Sequence, residues 1–160
     1  MACIARPYWA GSPPMWKKRL ILILMPFLLA VPATAHKGAQ GVVKQRMKAM
    51  TKLERALRPV RDMAHGKRAY DATTVARHAH LLQQVAVHIP GQFPEGSLQG
   101  PSEASPAIWT NFADFSRRAD ELRAAAAALK TAAPETLPTA YRRVMRTCKG
   151  CHEKYRIEKD

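Results

Sequence analysis

From residue 41 onward, apolar side chains recur at alternating three- and four-residue intervals, the period that gathers them on one face of an α-helix. The first stripe runs Val43, Met47, Met50, Leu53, Leu57, Val60 and Ala64, and stops at Gly66, a residue suited to closing a helix. Pro59 falls inside it and should kink or break the helix, at a cost of about 3 kcal/mol in an otherwise regular one. Asp71 can cap a second helix bearing Val75, Ala79, Leu82, Ala86 and Ile89, which Pro90-Gly91 ends. Residues 92–104 turn to Pro, Gly, Ser and Glu, a long crossover loop. Ser105-Pro106 then opens a third stripe, Ile108, Phe112, Phe115, Ala119, Leu122, Ala126 and Leu129. After a connector at 134–138 comes the last, Tyr141, Met145, Cys148, His152 and Tyr155. No stretch alternates with the period of a strand. The pattern predicts an all-α, antiparallel four-helix bundle with one long connection.

The N-terminal stretch does not fit that pattern. Lys17, Lys18 and Arg19 precede the apolar run Leu20 to Val31, and Pro32-Ala33-Thr34-Ala35 follows. A basic segment, a short apolar core and an A-x-A-like site read as a signal peptide over residues 1–35, with Met15 as an alternative start. The competing reading is an uncleaved anchor, for which a 12-residue run containing Pro26 is short. The bundle is then residues 36–160, and no stable membrane insertion is expected after cleavage.

Cleavage changes the charge and the cysteine count. The whole chain carries 26 Lys and Arg against 12 Asp and Glu; residues 36–160 keep 22 of the bases and all the acids, a net charge of +10. The bases are spread along every segment instead of forming a run, which argues against nucleic acid. An acidic redox partner protein met by electrostatic steering fits better, with solubility alone as the plain alternative. Cys3 leaves with the signal, so Cys148 and Cys151 are the two thiols that remain.

Those two belong to Cys148-Lys149-Gly150-Cys151-His152, a C-x-x-C-H motif of the kind that attaches haem c. On a helix, positions i, i+3 and i+4 share a face, so both sulfurs can form thioethers while the imidazole comes up beneath the iron. A zinc half-site would need a second ligand pair. A redox dithiol would need a βαβ setting. A structural disulfide would leave His152 without a purpose. One covalently attached haem c is expected near the last helix, with an opening between the first and last helices to hold it.

Geometry also brings Met50 into view. It lies ten residues into the first helix, about 15 Å, and His152 is eight residues from the chain end, about 12 Å. In an up-and-down bundle those depths match. Met47 shares the face one turn away and is the rival candidate for the haem site. The plain reading of either thioether is core filler.

Together these features resemble the class II cytochromes c, the cytochrome c′ family. The likeness is carried by Cys148–His152 with Tyr155-Arg156 after it, by Val43-Lys44-Gln45-Arg46, by Gly66 with Tyr70-Asp71, and by Pro106-Ala107-Ile108-Trp109. It covers about residues 41–159. The family has a high-spin state, with the motif histidine alone on the iron and affinity for NO or CO, and a low-spin state with a methionine opposite. Counting back from Gly66 puts the distal position on Met50. The resemblance thus implies a low-spin His152/Met50 pair and an electron-carrying role, the five-coordinate gas binder being the alternative. It further implies Arg46 at a haem propionate, Arg156 beside the proximal imidazole, and a homodimer through first helices as one option. His78, His80 and His88 could make only an adventitious metal site, in a haem-free alternative. No nucleophile–base pair or carboxylate dyad points to an enzyme. Export implies a periplasmic location.

Overall fold

The computed structural model describes residues 40–157, so the signal-peptide reading of residues 1–35 lies outside it. Five helices follow in order: α1, Gly41–Ala64; α2, Ala72–His88; a single turn α3, Ala107–Thr110; α4, Phe112–Lys130; and α5, Leu137–Tyr155. No sheet forms among the described residues; the one β-like contact is an isolated bridge from Ala104 to Arg156. With α1, α2, α4 and α5 as the long elements, the four-helix bundle stands.

Long-range contacts show the helices running up and down. Arg46, near the start of α1, meets Gln92 and Ser97 just after α2 ends. Tyr70, ahead of α2, donates to the Ala132 carbonyl beyond α4 at 2.8 Å. Arg118 early in α4 reaches Gly150 late in α5. His65 after α1 packs edge-on against Tyr141 early in α5, with centroids 5.8 Å apart. The start of α1 and the end of α5 therefore share one end of the bundle.

The core is built from the predicted stripes. Leu82, Ile108, Leu129, Leu137, Val60, Val75 and Val144 are fully buried, each contributing about 1.5–3 kcal/mol by leaving water. Asp71 caps α2, its carboxylate accepting from the Thr74 amide at 2.7 Å. Gly66 follows α1 with φ +70°, a left-handed conformation that costs glycine little.

Two expectations fail. α1 runs unbroken through Pro59: packing of Ala56, Val60 and Met63 on the core holds the helix together despite the missing amide. The third stripe is not one helix, for Asn111 at φ −131°, ψ 39° separates α3 from α4. There Ser105 caps locally, accepting from the Ala107 amide at 3.2 Å.

Around the bundle, the α1–α5 seam is the most lightly packed of the four. That is the side on which the sequence places the opening.

Candidate functional site

The last helix presents Cys148 and Cys151 one turn apart, both free, half-buried and packed against the core. Burial pushes both thiols above their ordinary pKa, while the Arg118 cation pulls Cys151 part of the way back. His152 follows, exposed by surface area but crowded enough that burial, with the Arg156 charge, lowers its pKa. An imidazole kept neutral has a free lone pair for a metal. Two protonated thiols on one face and a neutral imidazole beside them, against the loosest seam of the bundle, fit a covalently held haem c.

A charged clamp holds this turn in place, and the sequence reading missed it. The Asp114 carboxylate on α4 accepts from Arg117, from Arg118 Nε at 3.0 Å, from Lys154 Nζ at 2.9 Å and from the Tyr155 hydroxyl at 2.6 Å. These donors hold its pKa far below the usual carboxylate range, Tyr155 having the largest effect. Arg118 then passes the constraint on, its Nη1 donating to the Gly150 carbonyl inside the motif at 2.9 Å. A Cβ on Gly150 would stand 3.3 Å from that nitrogen, so glycine permits the close approach. The i, i+4 spacing of Asp114 and Arg118 was a legible hint; their reach to α5 was not.

Arg156 turns its guanidinium to Glu103, Nε donating at 2.7 Å, and its backbone joins the bridge to Ala104. Its influence on His152 is electrostatic.

On α1, Arg46 is 5% exposed. Its Nε donates to the Gln92 carbonyl at 2.6 Å, Nη1 to the Ser97 carbonyl at 2.7 Å, and Nη2 to the Ser97 hydroxyl. The guanidinium also lies 4.1 Å from the centroid of Phe93. Phe93 packs on Phe115 and Phe115 on Tyr155, at 4.8 and 5.3 Å between centroids. Arg46 thus ties the crossover loop to α1, because carbonyls buried there need donors. Two of its five N–H groups remain for the propionate contact that the resemblance implies.

Met50 is half-buried and packs against the core. Met47 is 51% exposed and lines a groove between α1 and α2. That groove, about 960 Å³, is lined by none of Cys148, Cys151 or His152. The chemistry of the motif, not the size of a hollow, locates the site. Among the described residues no group of three or more His, Cys, Asp or Glu is arranged for a metal ion, so His78, His80 and His88 form no such set.

A C-x-x-C-H motif on the last helix of an up-and-down bundle defines a helical c-type haem protein. The family model described as Cytochrome C′ matches residues 41–156, and the chain belongs to that family. It is 35% identical over 138 residues to cytochrome c-554 of Cereibacter sphaeroides, covering 81% of this chain and 90% of that one. Cytochrome c′ from Rhodopseudomonas palustris superposes with a TM-score of 0.71 at 26% identity, over 76% of this chain and all of that one. The nitric oxide complex of a leucine-to-isoleucine mutant of cytochrome c prime from Alcaligenes xylosoxidans gives 0.65 at 25% identity, over 73% and 94%.

These findings overturn the expectation of a low-spin His152/Met50 branch. They support the His-ligated, high-spin kind, and the solved Alcaligenes xylosoxidans neighbour is a nitric oxide complex. Met50 reads as packing, the ordinary role of a methionine on an apolar stripe. Three expectations stand: an all-α bundle, one covalently attached haem c, and a carrier that is not an enzyme.

Proposed function

We propose that this chain is an exported monohaem cytochrome in which His152 is the sole protein ligand of the iron, and that it takes up NO or CO on the side facing α1 while retaining an electron-carrying role. The observation that carries this is the match of the whole bundle to cytochrome c′, with a nitric oxide complex among its structural neighbours.

When bound, the haem supplies an iron that changes oxidation state and accepts a diatomic ligand. The chain does the rest. Cys148 and Cys151 would fix the group to α5, and neutral His152 would offer its lone pair to the iron. The clamp from Asp114 through Arg118 to Gly150 keeps the turn from shifting. Met50, half-buried on α1, would contribute apolar packing that keeps water from the bound group and would not serve as a ligand. Arg156 tunes the His152 ring by its charge. Among the described residues no helix is long and apolar enough to cross a membrane.

The test is the visible spectrum of the matured protein, oxidised and reduced, with and without CO. The reading expects a broad high-spin ferrous spectrum that CO reshapes. A sharp low-spin spectrum unmoved by CO would overturn it.

A further inference from the structure

The groove between α1 and α2 has a chemistry that the haem site does not use. One wall carries Lys44, Lys48, Lys52 and Arg55, a cationic ridge along about three turns of α1, and the other carries Arg77 of α2. Met47, half-exposed, and Leu81 form an apolar floor. No Asp or Glu lines it, and none of the five cations is in an ion pair with another described residue. On α1 the nearby acid Glu54 is instead satisfied by Arg58, at 2.7 Å.

We infer that this groove is a docking surface for an acidic amphipathic helix of a partner protein. Charge complementarity selects the occupant. An apolar floor between cationic walls calls for a ridge of apolar side chains flanked by carboxylates, the helix-in-groove mode of recognition. A second copy of this chain would bring the same five cations and no acid to meet them. A bilayer surface is planar and would leave a concave apolar floor unfilled. The groove is lined by none of Cys148, Cys151 or His152. The assignment is independent of the iron's spin state.

The test uses the matured holoprotein and a labelled synthetic peptide, an amphipathic helix of about four turns with Leu on one face and Glu flanking it. Fluorescence anisotropy at low and physiological salt gives its affinity. The double reversal Lys48→Glu/Lys52→Glu should weaken binding about tenfold or more, and the salt dependence should fall with it. Arg142→Glu/Arg143→Glu on exposed α5 positions changes net charge by the same amount and should have less than about a twofold effect. Circular dichroism confirms that both variants are folded. Equal weakening by the two reversals would reduce the effect to overall charge and overturn the site, as would failure of the peptide to bind. A dimer in sedimentation velocity that only Lys48→Glu/Lys52→Glu dissociates would give the groove to a second copy. Flotation with phosphatidylglycerol vesicles, lost in the same variant while the peptide does not bind, would give it to lipid. Either result overturns the proposal.

Discussion

Replacing Arg46 by methionine separates a packing role from a cofactor role. The substitution keeps an unbranched apolar stem and removes the guanidinium. It leaves the carbonyls of Gln92 and Ser97 without their donors, whereas the Ser97 hydroxyl still donates to the Pro94 carbonyl. Each orphaned carbonyl costs about 1–3 kcal/mol. Loss of the cation over Phe93 adds about 0.5–2 kcal/mol. Against these stands the relief of burying a charge, whose desolvation already lowers the Arg46 pKa. The net expectation is a destabilisation of about 3 kcal/mol, or roughly 10 °C in Tm for a domain of this size. Arg46→Lys, which keeps the charge but loses the planar fork, should fall about halfway. The assay is thermal unfolding of the holoprotein followed at 222 nm, with amide exchange in residues 92–97 as the local readout. The variant should lose protection there first. A fall in stability below about 1 kcal/mol with the loop still protected would refute the reasoning. A shift in reduction potential as the sole effect would make the propionate contact its main role.

Three further outcomes follow from the same geometry. Met50→Leu should leave the ligand-free spectrum high-spin, since the thioether is not a ligand; conversion from low- to high-spin in that variant would restore it as one. Asp114→Asn tests acid lability: a folded pKa below its unfolded value of about 3.9 gives stability present above that value and lost as pH falls through the folded one. The gap in urea stability between wild type and variant should thus be constant above about pH 5 and shrink below about pH 4, and a gap independent of pH would contradict the clamp. Pro59→Ala restores an amide inside continuous α1 and should stabilise the protein by about 1–3 kcal/mol in urea unfolding, a loss of stability being the contrary result.

The sequence determined by itself what depends on local spacing. The three–four periodicity marked each buried face, Gly66 and Asp71 marked helix ends, and Cys148, Cys151 and His152 declared the cofactor because thioether attachment demands that order on one helix face. Local signals erred where a short-range preference met long-range packing. Pro59 should have broken α1, but the core on either side outweighs one lost hydrogen bond. Ser105-Pro106 promised one long helix, but Asn111 divides it.

Only the tertiary structure decided what depends on which atoms meet across the bundle. Arg46 carries no sign in the chain that it will reach 51 residues ahead to Ser97. Asp114 reads as one half of a surface pair until folding brings Lys154 and Tyr155 to it. Met47 and Met50 are neighbours on one stripe, and only packing puts the first in an outer groove and the second against the core. A side chain's partners are set by the energies of every element around it, and periodicity records only which face is turned inward.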